Sequence, residues 1–128
     1  MSLRTVQVPR DEWTPVLKAF SAVHEGWPVS LDILSAPIGA QPEITELPLL
    51  GVSVEPGDDG AITIAAARSA VDHITHVVQA PARVWIQRTE AGTSAALEIE
   101  SADGTKTILR FKAVVPPEVV GQMASARR

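Results

Sequence analysis

The stretch from Ala96 to Phe111 reads ALEIESADGTKTILRF and decides the fold of this chain. A three-residue loop at its centre pairs Leu97 with Leu109 and Glu100 with Lys106. Apolar side chains then share one face of the paired strands, and opposite charges meet on the other face. The stretch therefore predicts an antiparallel β-hairpin.

The loop residues agree with this register. A two-residue turn at Asp103-Gly104 would set Leu97 opposite Arg110 and mix apolar with charged side chains. With a three-residue loop, Gly104 falls where the backbone must be left-handed after a type I turn. We therefore expect the loop Ala102-Asp103-Gly104.

Composition bounds the class of protein. The chain has 128 residues, 45% hydrophobic and 20% charged, which suits one globular domain. The absence of cysteine excludes disulfides, thiolate catalysis and cysteine-ligated metals. The net charge of −4 comes from scattered acids and no basic tract occurs, so we expect no nucleic-acid partner. No apolar run approaches the roughly 18 residues of a membrane span and no secretory signal opens the chain, so we expect a cytoplasmic protein without a membrane partner.

The residues before the hairpin predict a helix. Trp13, Leu17, Phe20 and His24 recur at helical spacing, and acidic residues precede them. Negative charge suits the N-terminal end of the helix dipole. We expect a helix over residues 11–24.

After the helix, apolar residues alternate with polar ones. This period of two predicts strands over residues 27–33, 50–54 and 62–64, with a break at 36–39 and a turn at 56–60.

A further strand pair is expected between residues 72–79 and 82–88. An odd-length connection would face Val78 to Val84 and collect apolar side chains on one face. The opposite face would carry His73, Arg83, Trp85 and Gln87.

These elements predict an α+β domain. An N-terminal amphipathic helix is followed by about six short antiparallel strands, in a bent sheet or a small partly open barrel. The domain would span residues 1–113. Pro116-Pro117 stops the chain from continuing as a strand, and we expect residues 114–128 to form a partly mobile C-terminal extension.

Several segments carry a family resemblance: Asp11-Glu12-Trp13, Phe20-Ser21, His24-Glu25-Gly26-Trp27, Leu47-Pro48-Leu49-Leu50-Gly51, Asp72-His73-Ile74-Thr75-His76 and the stretch 96–111. They look like segments of the bacterial family known as domain of unknown function 5335, and they span nearly the whole chain. The resemblance implies a stand-alone bacterial protein. It implies no activity, cofactor or catalytic residue.

The order of elements is also similar to that of the Sm-like and SH3-like small barrels. Sm-like family members are RNA-binding rings, so this resemblance implies a nucleic-acid-binding ring as one alternative. Residues 79–82 read QAPA where such a ring would present basic or polar RNA-contacting side chains. The likeness therefore concerns architecture alone, which is a weak basis for function.

His73 and His76 are the first candidates for chemistry, because His-x-x-His can bind a metal. Their neighbours predict a strand, where an odd spacing points the two rings to opposite faces. Zinc needs three or four converging ligands, and nothing in the sequence brings His24 close as a third. We therefore expect a half-buried His76, a surface His73, no metal and no cofactor.

Each pair of acidic residues has a structural explanation. Glu98 and Glu100 can pair across strands with Lys106 or Arg110. Asp58-Asp59 falls in a turn, and Asp11-Glu12 lies at the start of the helix, where negative charge suits the dipole. Nucleophile motifs and phosphate-binding loops are missing. We assign no catalytic residue.

Arg83, Trp85 and Gln87 are the main binding candidates, with His73 on the same expected face. Trp and Arg dominate the energetics of protein interfaces. The alternative is that the N-terminal helix covers this face and buries Trp85 in the core.

The sequence predicts a folded domain and offers no catalytic motif, which favours a non-enzymatic interaction or small-ligand-binding module. Its partner would be another protein or a second copy, paired through an exposed strand or the Trp85 face. The alternatives are a metal-dependent or acid/base enzyme that uses His73 and His76, and an Sm-like nucleic-acid-binding ring.

Overall fold

The computed structural model describes residues 4–57, 60–89 and 94–111. Its elements in these ranges are β1 (Arg4–Val8), a 3-10 helix (Arg10–Glu12), α1 (Trp13–His24), β2 (Pro28–Ser35), β3 (Gly39–Val54), β4 (Ile62–Ala67), β5 (His73–Val78), β6 (Pro81–Arg88), β7 (Ser94–Ser101) and β8 (Lys106–Phe111). The expected extension at 114–128 and the acidic pair Asp58-Asp59 lie outside the described residues.

The strands form one antiparallel sheet in the order β1-β6-β7-β8-β2-β3-β4-β5. The predicted α+β class with a bent sheet is confirmed. The final hairpin has the predicted register, with Leu97 opposite Leu109 and Glu100 opposite Lys106. Gly104 has a φ of 90°, which is the left-handed backbone that the loop requires.

The long strand β3 gives the sheet its bend. Residues 39–48 pair with β2, whereas residues 49–54 pair with β4. Glu46 has a left-handed backbone (φ 53°), and the register shifts between Leu49 and Gly51. Strands that pass from one part of a sheet to another through such bends form the corners of small barrels. The sequence pattern does not predict the first half of β3, because its side chains are mostly exposed and do not alternate.

The helix α1 packs against β3 and begins at Trp13, because residues 10–12 form the 3-10 turn. Its buried side chains are the predicted Trp13, Leu17, Phe20 and His24. They share one hydrophobic core with the inward-facing residues of the sheet. In the described part of the chain, no helix is long and apolar enough to cross a membrane.

Ser21 attaches α1 to β3. Its Oγ accepts a hydrogen bond from the Val52 N–H at 2.7 Å. The single hydroxyl proton is shared between the carbonyl oxygens of Val52 and Leu17, each 2.8 Å away. In the loop that follows α1, the Gly26 N–H donates to the Leu49 carbonyl, and the Leu49 N–H donates to the Trp27 carbonyl. The edge of β3 that faces away from β4 is therefore capped by the helix and this loop.

Four rings close one end of the core. The His24 ring stacks on Phe111 with centroids 4.4 Å apart, and it lies 4.5 Å from Phe20 and 4.7 Å from Trp27. These contacts make the end of β8 and the end of α1 a single packed unit.

The predicted pairing of residues 72–79 with 82–88 is wrong. β5 pairs with β4, and β6 pairs with β1 and β7. The chain turns a corner between them at Ala80, which has a φ of 47°, and the Ala80 carbonyl accepts a hydrogen bond from the Ala102 N–H at 2.8 Å. Only three Cα steps separate Val78 from Pro81, at most about 11 Å, so the curled sheet brings these two strand ends close without pairing them.

The first strand, β1, is an edge strand that the sequence pattern does not predict. It pairs with β6 from Arg4 opposite Arg88 to Val8 opposite Val84. Within β1 only Val8 is buried, so hydrophobic alternation is weak.

Candidate functional site

The two candidate histidines of β5 lie on opposite faces, as predicted. His73 is exposed, and its Nδ1 lies 2.7 Å from the Ala70 carbonyl oxygen. His76 is half-buried on the core side. Burial lowers the pKa of His76 below its ordinary 6.5, and the nearby negative charge of Glu43 opposes this effect.

The third histidine, His24, belongs to the ring cluster. Its Nδ1 lies 2.8 Å from the Phe20 carbonyl, which can only accept, so Nδ1 carries the proton. Burial lowers the pKa of His24, the bond to Phe20 opposes this, and the positive charge of Arg88 lowers the pKa further. His24 therefore has a structural role in the core.

A metal centre is not formed by these residues. Throughout the described ranges, no three His, Asp or Glu side chains come together as ligands for a metal ion. A zinc site needs at least three such ligands. The described residues therefore give no support to the metal-dependent alternative.

The binding candidates of β6 share one face, as predicted. Val84 and Ile86 are buried, whereas Arg83 is exposed and Trp85 and Gln87 are half-buried on the other side of the strand. The register of the neighbouring strands extends this side across β1, β6, β7, β8 and β2. We call it the outer face, and its members include Gln7, Asp32, Leu34, Arg83, Trp85, Gln87, Glu98, Glu100, Lys106, Ile108 and Arg110.

His73 does not belong to the outer face. β5 lies at the far end of the strand order from β6, so His73 is not a neighbour of Trp85 in the sheet. The expectation that these residues lie together follows from the wrong pairing of β5 with β6.

Trp85 lies near the middle of the outer face. It is directly opposite Gln7 on β1 and Glu98 on β7, and Glu98 is opposite Ile108 on β8. The buried residues of α1 pack with Val84 and Ile86, so the helix is on the core side of the sheet. The alternative in which α1 covers Trp85 is therefore wrong. Sequence alone could not decide this, because either side of β6 offers apolar surface.

Two ion pairs lie on the same face as the tryptophan. Arg83 contacts Glu100 at 2.7 Å, and Arg110 contacts Asp32 on the neighbouring strand. The expected pairing of Glu100 with Lys106 is present in the register, but the closer cation is Arg83. Opposite charges that lie side by side neutralise each other, and the outer face therefore combines an aromatic centre with balanced charge.

A groove lies beside α1, away from the outer face. It is an open groove of about 450 Å³ between the helix residues Thr14, Lys18 and Ser21 and the strand residues Gly51, Ser53 and Thr63. Small-molecule sites usually enclose most of their ligand. This groove is open along its length, so it is a weaker candidate than the outer face.

Comparison with known proteins gives a family and a relative. The family described as "Family of unknown function (DUF5335)" matches residues 4–118. The chain is 28% identical over 114 residues to an uncharacterized protein of Aquifex aeolicus (strain VF5), covering 89% of this chain and 97% of that protein. No solved structure matches the chain. Because the family match covers most of its length, the chain belongs to DUF5335, a family of unknown function.

Proposed function

We propose that this protein is a non-enzymatic interaction module that binds another protein through its outer face. The observation that carries the proposal is the position of Trp85, half-buried midway along the second strand of a five-stranded face that α1 leaves uncovered. Binding energy at protein interfaces is concentrated in central Trp, Tyr and Arg side chains. Arg83 and Gln87 flank Trp85 on the same strand and would form part of the contact.

The charges of the outer face favour a protein partner over a nucleic acid. Glu98 lies directly opposite Trp85, Glu100 lies on the same strand opposite Arg83, and Asp32 lies on β2. The outer-face cations Arg83 and Arg110 are already paired with Glu100 and Asp32, so this face offers no excess of positive charge to the phosphates of a nucleic acid. The Sm-like alternative therefore finds no support on this face.

We propose that this activity takes place in the cytoplasm. A chain without cysteine has no disulfide that would need an oxidising compartment, which is compatible with that location.

The test uses three purified proteins as bait in a bacterial lysate: the natural chain, Trp85→Ala, and Val23→Ala as a matched control. Val23 is an exposed apolar residue of α1, away from the outer face. We expect a partner that the natural chain and the control retain and that Trp85→Ala loses.

Titration of the purified partner makes the test quantitative. We expect Trp85→Ala to weaken binding about 30-fold, which corresponds to about 2 kcal/mol. Thermal melts of all three proteins establish that the variants fold. Partners that bind Trp85→Ala as tightly as the natural chain would refute the proposal.

A further inference from the structure

A second surface, the free edge of β5, points to self-association. The hydrogen-bond pattern of the sheet shows which backbone groups of β5 point away from β4. Val52 on β3 directs its N–H and C=O toward Ser21, away from β4. In an antiparallel sheet, bonded and non-bonded pairs alternate. Ile64, the partner of Val52, therefore directs its backbone groups toward β5 and bonds His76.

The β4–β5 turn gives the same result independently. The Arg68 N–H donates to the Asp72 carbonyl at 2.9 Å, so this pair is hydrogen-bonded. Hydrogen-bonded pairs recur at every second residue of the ladder, so Ile74, His76 and Val78 are the residues of β5 whose backbone groups bond to β4. The residues between them, His73, Thr75 and Val77, direct their N–H and C=O groups outward.

Two other strand edges of the described chain are partly capped. Ser21 and the loop after α1 occupy the edge of β3 at residues 49–52. At β1, the Trp13 indole N–H donates to the Val8 carbonyl at 3.0 Å, and this occupies one end of that edge. No described residue caps the outward groups of β5 through a hydrogen bond that would close its edge. Unpaired edges of this kind recruit another strand.

The outward residues of β5 are His73, Thr75 and Val77, so this edge carries no carboxylate, lysine or arginine of its own strand. Val77 is 41% exposed, and Val71, in the turn before β5, is 95% exposed. Of the charges near β5, Arg68 and Asp72 pair with each other at 3.1 Å, and the negative charge of Glu43 acts on His76. A charged partner would gain no electrostatic selectivity here, whereas two copies of an acidic chain could meet without facing like charges.

We propose that β5 pairs with β5 of a second copy in an antiparallel, two-fold symmetric homodimer. The symmetric register sets the Thr75 residues of the two copies opposite each other and sets His73 of each against Val77 of the other. This register uses all outward backbone groups of the three residues and gives a Thr–Thr cross-strand pair, which is favourable. The edge is separate from the outer face, so this proposal and the proposed function can fail independently.

The dimer should be weak. A pair of six-residue strands buries less surface than the roughly 1,200 Å² of a standard stable interface. We expect a dimer whose population depends on concentration between about 1 µM and 1 mM.

Sedimentation equilibrium of the full chain over that concentration range tests the proposal. Thr75→Pro removes an N–H that bonds no described residue, so the fold should be retained while dimer dissociation rises at least about tenfold. Val6→Pro on β1 is the matched control, because the outward direction of the Val8 carbonyl makes the Val6 N–H outward as well. We expect this control to dimerise like the natural chain.

Charge substitutions at the two-fold axis give a second test that does not depend on proline. Thr75 is exposed, so Thr75→Lys and Thr75→Glu should fold normally. Each variant alone should stay monomeric because like charges face each other, and an equimolar mixture of the two should restore the dimer. A natural chain that is monomeric up to about 1 mM, or a dimer unaffected by all three Thr75 variants, would overturn the proposal.

Discussion

Replacing Ser21 with Ala tests whether one hydroxyl group holds α1 to β3. The hydroxyl accepts a hydrogen bond from the Val52 N–H at 2.7 Å and offers its proton to the Val52 carbonyl at 2.8 Å. The Leu17 carbonyl competes for that proton. Alanine keeps the Cβ and removes both links to β3, together with the shared contact to the Leu17 carbonyl.

The expected loss can be worked out from these contacts. Two hydrogen bonds at about 1 kcal/mol each contribute about 2 kcal/mol to the free energy of unfolding. Alanine is the better helix former by about 0.5 kcal/mol, which offsets part of this loss. We therefore expect Ser21→Ala to lower the free energy of unfolding by about 1.5 kcal/mol.

Urea denaturation measures that change, and Ser53→Ala is the matched control on β3. Ser53 is exposed, so its replacement should change stability by less than about 0.5 kcal/mol. Amide hydrogen exchange adds a local readout, because the Val52 N–H should exchange faster in Ser21→Ala. If Ser21→Ala lost no more stability than Ser53→Ala, or if Val52 exchange were unchanged, the assignment of Ser21 as the link would be refuted.

Three further predictions concern the core and the turns. Burial lowers the pKa of His24 and His76 below 6.5, so the unfolded chain binds more protons and the free energy of unfolding should fall as pH drops below about 6.5; urea midpoints that stay constant from about pH 8 to pH 5 would contradict this. Gly104→Ala should lower the free energy of unfolding by about 1 kcal/mol, because φ is 90° at this position. Gly51→Ala should lower it by less than about 0.5 kcal/mol, because the added Cβ would lie 3.7 Å from Ser21, an ordinary contact distance. Equal urea midpoints for the two variants would show that left-handed strain is absent at Gly104. Leu97→Ala, at a fully buried position, should cost about 3 kcal/mol by the same assay, and a loss below about 1 kcal/mol would mean that its site is loosely packed.

The final hairpin could be predicted because its information is local. Leu97, Glu100, Lys106 and Leu109 fix the register together, since only one loop length sorts apolar from charged side chains. Residues 96–111 need no distant partner to define this pairing. The prediction therefore holds whatever the rest of the sheet does.

The pairing of β5 and β6 could not be predicted in the same way. Alternation assigns Val78 and Val84 to the buried side of their strands, and both are buried. It does not say which strand lies beside which, because that depends on the backbone turn at Ala80 and on long-range pairing with β1 and β4. Non-local pairing leaves no local pattern in the sequence.

The candidate site shows the same division. The face shared by Arg83, Trp85 and Gln87 follows from a period of two and is present in the structure. The position of α1 on the other side of the sheet follows from its packing on β3, which no residue of β6 encodes. The sequence pattern predicts the face, and only the fold shows that the helix leaves it open.

The pairing of β1 with β6 also determines the order in which a newly synthesised chain can complete its sheet. Arg4 pairs with Arg88, so β1 has no partner until about 84 more residues have been translated. At 5–20 residues per second, this delay lasts about 4–17 s. During that time α1 can already find β3, whose pairing with β2 is local. The helix and the β2–β3 hairpin can therefore assemble before translation reaches β6, and the N-terminal strand joins an almost finished sheet as one of its last elements.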